Sequence, residues 1–199
     1  MKIAILGWGS LIWDPRDLPR ESFWERPGPS LPLEFSRVSM DGRLTLVIDR
    51  DHGDDCETYY VVSPRADLKD AIEDLRSREG TPDKSNIGFV DLQRDRHYGR
   101  KPEAVEVIRA WAQERQFTGV VWTDLKPNFS KQTGTSFSVD AAVAYLKSLP
   151  LSARTRALKY IDNAPEEIST PVRRELAGKN DASVGSGESA NSETDSAQT

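Results

Sequence analysis

A sharp turn directly after an apolar run near residue 1 constrains this chain more than any other feature. The run Lys2-Ile3-Ala4-Ile5-Leu6 predicts a buried β-strand, and Gly7-Trp8-Gly9-Ser10-Leu11 follows it at once. The two glycines permit a sharp turn and a close approach of the backbone to other groups. Such a turn can aim N–H groups and the Ser10 hydroxyl at a carboxylate or carbonyl oxygen. From spacing alone, the simpler interpretation is a tight strand exit with Trp8 and Trp13 in the core.

Length and charge narrow the class of protein. The chain has 199 residues, enough for one domain with a sizeable core. Its net charge is −5 and it has no basic tract, which argues against a nucleic-acid or anionic-membrane partner. The single cysteine, Cys56, excludes a disulfide framework within the chain and lies in a strand-like run, so we expect a buried, inert thiol. With no leader-like or membrane-spanning apolar segment, we expect cytoplasmic residence.

The order of predicted elements is typical of an α+β domain. Further strands are predicted over residues 31–40, 43–49, 56–62, 87–92 and 118–123, with a hairpin turn at Asp41-Gly42. The acidic segment 49–55 lacks the ligand spacing of a calcium loop and predicts a solvated turn. Helices are predicted from Ser63-Pro64 to a cap at Gly80, over residues 102–115, and over about 139–148, 152–162 and 171–177.

The end of the chain differs in composition. From Gly178 onward it consists mainly of Asn, Ser, Gly, Glu, Thr and other polar residues, with few apolar ones. Such a segment cannot bury enough surface to offset chain entropy. We therefore predict a single domain over residues 1–177 and a disordered polar tail over residues 178–199.

Glu79 is the second candidate functional residue. It lies in the last turn of a predicted helix, where the negative end of the helix dipole disfavours a carboxylate unless a cation compensates. Arg76 and Arg78 are the two candidate cations. The simpler interpretation is an exposed glutamate paired with a neighbour.

Two short motifs resemble those of the γ-glutamylcyclotransferase-like superfamily, most closely its ChaC-type branch. The family's first strand ends in Phe-Gly-Tyr-Gly-Ser-Leu-Ile-Trp, and here Trp8 stands at the tyrosine position while the flanking residues match (Gly7, Gly9, Ser10, Leu11, Ile12 and Trp13). A second family motif, an Arg-Glu pair followed by glycines, is matched by Arg78-Glu79-Gly80, with Ser77 in place of an aromatic residue and Thr81-Pro82 in place of the family's Lys-Gly-Gly-Tyr. The resemblance covers roughly residues 1–125.

The resemblance implies a fold, an activity and a set of site residues. The implied fold is a small mixed β-barrel with packed helices. The implied activity is cyclisation of a γ-glutamyl amine or peptide to 5-oxoproline, with no metal and no organic cofactor. The γ-glutamyl group would be bound by the glycine loop (Gly7, Trp8, Gly9, Ser10 and Leu11), and Glu79 would be the general acid/base.

The chemistry needs few parts. The substrate's own α-amine attacks the γ-carbonyl, so orientation supplies much of the rate. One carboxyl group can carry both proton transfers if an apolar pocket suits it to the task. Backbone N–H groups around Gly9, Ser10 and Leu11 are candidate donors to the developing oxyanion.

Other residues and classes are weaker candidates. His52 and His97 are isolated, Trp111 and Trp122 are expected in the core, and one residue of the Tyr59-Tyr60 pair should point inward, where it could line the pocket. A non-catalytic ligand-binding or interaction module on the same scaffold is the main alternative function. Dinucleotide binding, suggested by Gly7-Trp8-Gly9 after a first strand, lacks the third glycine and a strand-helix-strand unit.

Overall fold

The computed structural model describes residues 1–184, which form two β-sheets and seven α-helices. The strands are β1 (Ile3–Gly7), β2 (Ser30–Val38), β3 (Leu44–Ile48), β4 (Asp54–Glu57), β5 (Tyr59–Ser63), β6 (Ile87–Asp91), β7 (Arg96–Tyr98) and β8 (Gly119–Thr123). The helices are α1 (Ser10–Trp13), α2 (Leu68–Glu79), α3 (Pro102–Glu114), α4 (Phe129–Thr133), α5 (Val139–Ser148), α6 (Leu151–Asp162) and α7 (Pro171–Val184). The α+β class predicted from the sequence is confirmed.

The larger sheet positions the glycine loop. Its strand order is β5-β1-β8-β6-β7, with β1 antiparallel to β5 and parallel to β8. All five residues of β1 are buried, as the apolar run predicts. Because parallel strands end at the same sheet edge, the exit of β1 at Gly7 and the end of β8 at Thr123 lie side by side.

The smaller sheet has the strand order β3-β2-β4. The hairpin predicted at Asp41-Gly42 joins β2 to β3, and Gly42 has the left-handed φ of 81° that such turns require. The single strand predicted over residues 56–62 is wrong: β4 pairs with β2, whereas β5 pairs with β1 in the other sheet. The chain changes sheets at Thr58, whose hydroxyl donates to the Pro29 carbonyl at 2.6 Å.

Helices α2 and α3 complete two apolar clusters. Leu68, Ala71 and Leu75 of α2 pack with residues of β1, including Ile3 and Ile5, in one cluster. The other cluster includes residues of α3, the smaller sheet and α5 to α7, and it contains Trp111 and Trp122 as expected.

Helix α2 begins at Leu68 rather than at the predicted Ser63-Pro64. Ser63 still pairs with Ile3 in the sheet, and Asp67 caps the helix by accepting a hydrogen bond from the Lys69 N–H at 2.9 Å.

The carboxy-terminal helices follow the predicted order, with one difference in length. Helix α7 begins after Thr170 as expected but runs past Gly178 to Val184, so the first part of the predicted disordered tail is helical. Residues 185–199 of that tail lie outside the described residues. In the described part of the chain, no helix has both the length and the apolar character needed to cross a bilayer.

Candidate active site

One cavity of about 640 Å³ brings the two sequence motifs together. Its lining includes the whole glycine loop, residues 7–11, and the end of α2 with Glu79. The volume lies within the range of about 300–1,000 Å³ that is usual for small-molecule sites. Residues from β2, β3, β8, α6 and several loops also line it.

The glycines of the glycine loop lie where an added side chain would be crowded. A Cβ atom on Gly7 would lie 2.7 Å from the ring of Trp24. A Cβ on Gly9 would lie 3.1 Å from the hydroxyl of Tyr160 in α6. Trp8 itself is buried in the core, as the simpler interpretation expects, yet it also lines the cavity. The loop is therefore both a tight strand exit and part of a cavity wall.

Glu79 is held at the cavity by its neighbour in sequence. Gly80 closes α2 with a left-handed φ of 64°, as predicted. The Glu79 carboxylate accepts a hydrogen bond from Arg78 Nη1 at 2.7 Å and from the Thr123 hydroxyl at 3.2 Å. Its side chain is 16% exposed, so it is neither free in water nor sealed off. The surroundings are thus an ion pair and a hydroxyl rather than an apolar pocket.

Arg78 connects Glu79 to the glycine loop. Its side chain is 5% exposed, and Nη2 donates to the Asp14 carbonyl at 2.5 Å and to Ser10 Oγ at 3.3 Å. Of the two candidate cations, the one beside Glu79 is therefore Arg78, because Arg76 pairs with Glu73. A buried guanidinium shared between two motifs fixes their separation, since its planar fork binds several oxygens at once.

Tyr160 brings a hydroxyl to the same loop. It lines the cavity, packs edge-on against Trp13 at 5.3 Å between ring centroids, and lies under the Arg43 guanidinium at 5.1 Å. Burial raises the pKa of Tyr160, and hydrogen bonds with Ser10 oppose that shift. The Tyr160 hydroxyl therefore stays protonated at neutral pH.

Several residues that line the cavity were not predicted from the sequence. Tyr160, Thr123, Arg37 and Arg43 carry no local motif, because tertiary packing alone brings them to the loop. Neither tyrosine of the Tyr59-Tyr60 pair lines the cavity. Their hydroxyls instead donate to Glu167 at 2.6 Å and to Glu25 at 2.9 Å, respectively.

Two alternative site chemistries find no matching arrangement in the described residues. Strand β1 leads into the four-residue helix α1, and the next strand, β2, belongs to the other sheet, which is not a dinucleotide-binding unit. Across the described part of the chain, no group of three His, Cys, Asp or Glu side chains is arranged to hold a metal ion.

Comparison of the chain with protein-family models, with curated proteins and with solved structures finds no match in any of the three. The assignment of a function therefore depends on the geometry of the cavity and on the resemblance of the two motifs.

Proposed function

We propose that this chain is a γ-glutamylcyclotransferase-like enzyme, which cyclises a γ-glutamyl amine or peptide to 5-oxoproline and releases the amine. The observation that carries the proposal is the shared cavity. Glu79 and the glycine loop are distant in sequence, yet they face one space and are joined by Arg78. A chance resemblance in two unrelated surface motifs would not require them to meet.

The proposed reaction is an internal aminolysis. The substrate's α-ammonium loses a proton to the Glu79 carboxylate, and the free amine attacks the γ-carbonyl carbon. A new C–N bond closes the five-membered ring, and Glu79 returns its proton to the leaving nitrogen as the bond to that nitrogen breaks. The ring nitrogen then gives its second proton to the Glu79 carboxylate, which passes it to the departing amine, so the products are neutral lactam and ammonium. The main contribution of the cavity is to hold the substrate's glutamyl group in a bent conformation, in which the amine and the carbonyl meet.

Tyr160 supports a role for a hydroxyl at the site. The family motif has a tyrosine where this chain has Trp8, which is buried and offers only an indole N–H. The Tyr160 hydroxyl lies against Gly9 and Ser10 on the cavity wall. We propose that it supplies the hydrogen bond to substrate that Trp8 does not.

The remaining parts of the assignment belong to the same proposal. The two sheets would correspond to the small mixed barrel of the family, with β4 and β5 joining them through Thr58. The partner would be a small γ-glutamyl compound, handled in the cytoplasm without a metal or organic cofactor.

The test is release of 5-oxoproline from a panel of γ-glutamyl amines and dipeptides by the purified chain. We expect product from at least one substrate and a loss of about 100-fold or more in Glu79→Gln, because proton transfer by a positioned group contributes about that much. Glu106→Gln, which changes an exposed glutamate on α3, is the matched control and should keep full activity.

A non-catalytic binding module is the second candidate. The Arg78–Glu79 ion pair and the buried Trp8 favour it, because both could serve to bind a ligand without turnover. Binding of γ-glutamyl compounds with no product from any of them would select this alternative.

A further inference from the structure

We propose that Arg37 binds an anionic group on the leaving amine, and so selects substrates whose amine carries a carboxylate or similar anion over those with a neutral amine. The inference rests on the proposed function for the identity of the substrate. The charges of the side chains that line the cavity indicate that the group bound by Arg37 is an anion.

Among the described residues, four arginines line the cavity, and three of them have an acidic partner. Arg78 pairs with Glu79 at 2.7 Å, Arg43 with Asp41 at 2.8 Å and Arg16 with Asp14 at 3.4 Å. Arg37 has no carboxylate within ion-pair distance among the described residues, and its Nη1 donates to the Lys126 carbonyl at 2.8 Å. The cavity therefore carries one positive charge that the described residues leave unbalanced.

The position of Arg37 makes that charge costly. The residue is half-buried. The charged side chain that affects the pKa of Arg37 is another cation, Arg100. Burial, with Arg100 second, lowers the pKa of Arg37, although a guanidinium stays charged at neutral pH. A partly desolvated cation beside a like charge is stabilised by an anion that enters the cavity.

The location of Arg37 indicates which part of the substrate meets it. The glutamyl group is assigned to the glycine loop and Glu79, which belong to the larger sheet and α2. Arg37 lies on β2 of the smaller sheet, opposite Thr45 in register, and Thr45 also lines the cavity. The group that reaches this second wall is the part of the substrate beyond the scissile amide, the leaving amine.

The test compares substrates that differ only in that group. The wild-type chain and Arg37→Gln are assayed with γ-glutamyl-β-alanine, γ-glutamyl-phosphoethanolamine and γ-glutamyl-propylamine, which carry a carboxylate, a phosphate and no charge. We expect wild type to prefer an anionic substrate over propylamine by about 10-fold to 100-fold in kcat/KM, the usual effect of a charged hydrogen bond. Arg37→Gln should bring that ratio close to one, and Arg37→Lys should restore part of it.

A ratio within one variant does not depend on how much of it is folded, so a destabilised variant remains informative. If Arg37→Gln slows all three substrates equally, Arg37 holds the glutamyl group or supports the fold, and the proposal is overturned. The carboxylate and phosphate arms show which anion the site prefers.

Failure of this inference can be separated from failure of the cyclotransferase assignment by calorimetric binding to the Glu79→Gln variant. Tighter binding of γ-glutamyl-β-alanine or γ-glutamyl-phosphoethanolamine than of γ-glutamyl-propylamine, lost on adding Arg37→Gln, supports the anion site even if the wild type makes no 5-oxoproline. Turnover of all three by wild type without preference keeps the enzyme assignment and overturns the role of Arg37. Absence of binding by either anionic compound also overturns it.

Discussion

Glu34 gives the most quantitative prediction, because its surroundings determine its protonation state and because its carboxyl group binds the start of α7. The residue lies on β2 and is fully buried. One carboxyl oxygen accepts from the Phe35 N–H at 2.6 Å, and the other accepts from the Val172 N–H at 3.1 Å in the first turn of α7. Glu34 thereby attaches α7 to the smaller sheet.

Burial raises the pKa of Glu34 from 4.5 to about 7, against the opposing effect of these N–H donors. The folded chain thus binds the proton more tightly than the unfolded chain does. The stability that this provides is fully present below about pH 4.5 and is lost as pH rises toward about 7. The difference between the two values corresponds to about 3 kcal/mol of unfolding free energy.

The perturbation is Glu34→Gln, which keeps the shape but removes the titration. Glutamine has one carbonyl oxygen for two N–H donors, so a cost of about 1–3 kcal/mol that does not vary with pH is expected as well. The pH-dependent part is isolated by chemical denaturation of wild type and variant at several values between about pH 4 and pH 8. The stability advantage of wild type over variant should shrink by about 3 kcal/mol across that range.

Two control experiments test whether the pH dependence comes from Glu34. Glu106→Gln, at an exposed position of α3, should show no such trend. Asp49 also raises the pKa of Glu34. In an Asp49→Asn background the pKa of Glu34 should therefore lie closer to 4.5, and the wild-type advantage should change over a narrower range of pH. A wild-type advantage that stays constant from pH 4 to pH 8 would refute the assignment of a buried, protonated Glu34.

Three further predictions concern the cavity and the core. Arg78→Lys should lower the unfolding free energy by about 3 kcal/mol, because lysine cannot reproduce the hydrogen bonds that the buried guanidinium donates to Glu79, Ser10 and Asp14. Arg65→Lys, in which the arginine of the pair is much more exposed, should change the stability far less in the same denaturation assay. Gly9→Ala should weaken ligand binding and lower the unfolding free energy by about 1 kcal/mol, because the added methyl group crowds the Tyr160 hydroxyl. In the double variant, Tyr160→Phe removes that hydroxyl and should restore part of the lost stability, whereas an unchanged loss would exclude the contact. Burial raises the pKa of Cys56 to about 11, so the folded chain should not react with a thiol reagent at pH 8 but should yield one thiol per chain in denaturant, and rapid native labelling would contradict its burial.

Local sequence signals predicted much of the fold. The apolar run of β1, the Asp41-Gly42 hairpin and the Gly80 cap are each written in a few adjacent residues, and each lies where expected. The errors fall where local signals conflict with pairing. Residues 58–62, Thr-Tyr-Tyr-Val-Val, are all strand formers, and nothing local shows that the chain changes sheets at Thr58.

The candidate site was predictable only where a motif marks it. The glycine loop and Glu79 are visible in the sequence, and the structure places both on one cavity. Arg37 and Tyr160 come from β2 and α6, so their arrival at the loop depends on tertiary packing that periodicity does not report. Short helices such as α1 and α4 are equally invisible, since a single turn has no repeat to detect.

The proposed function requires Glu79 and the glycine loop to act together on one γ-glutamyl ligand while it cyclises. The most direct measurement follows a γ-glutamyl dipeptide carrying ¹³C in its glutamyl group by NMR, with wild type and with Glu79→Gln. We expect the label to pass into 5-oxoproline with wild type and to remain in the dipeptide with the variant. Label appearing in free glutamate, or equal amounts of 5-oxoproline from both proteins, would contradict it.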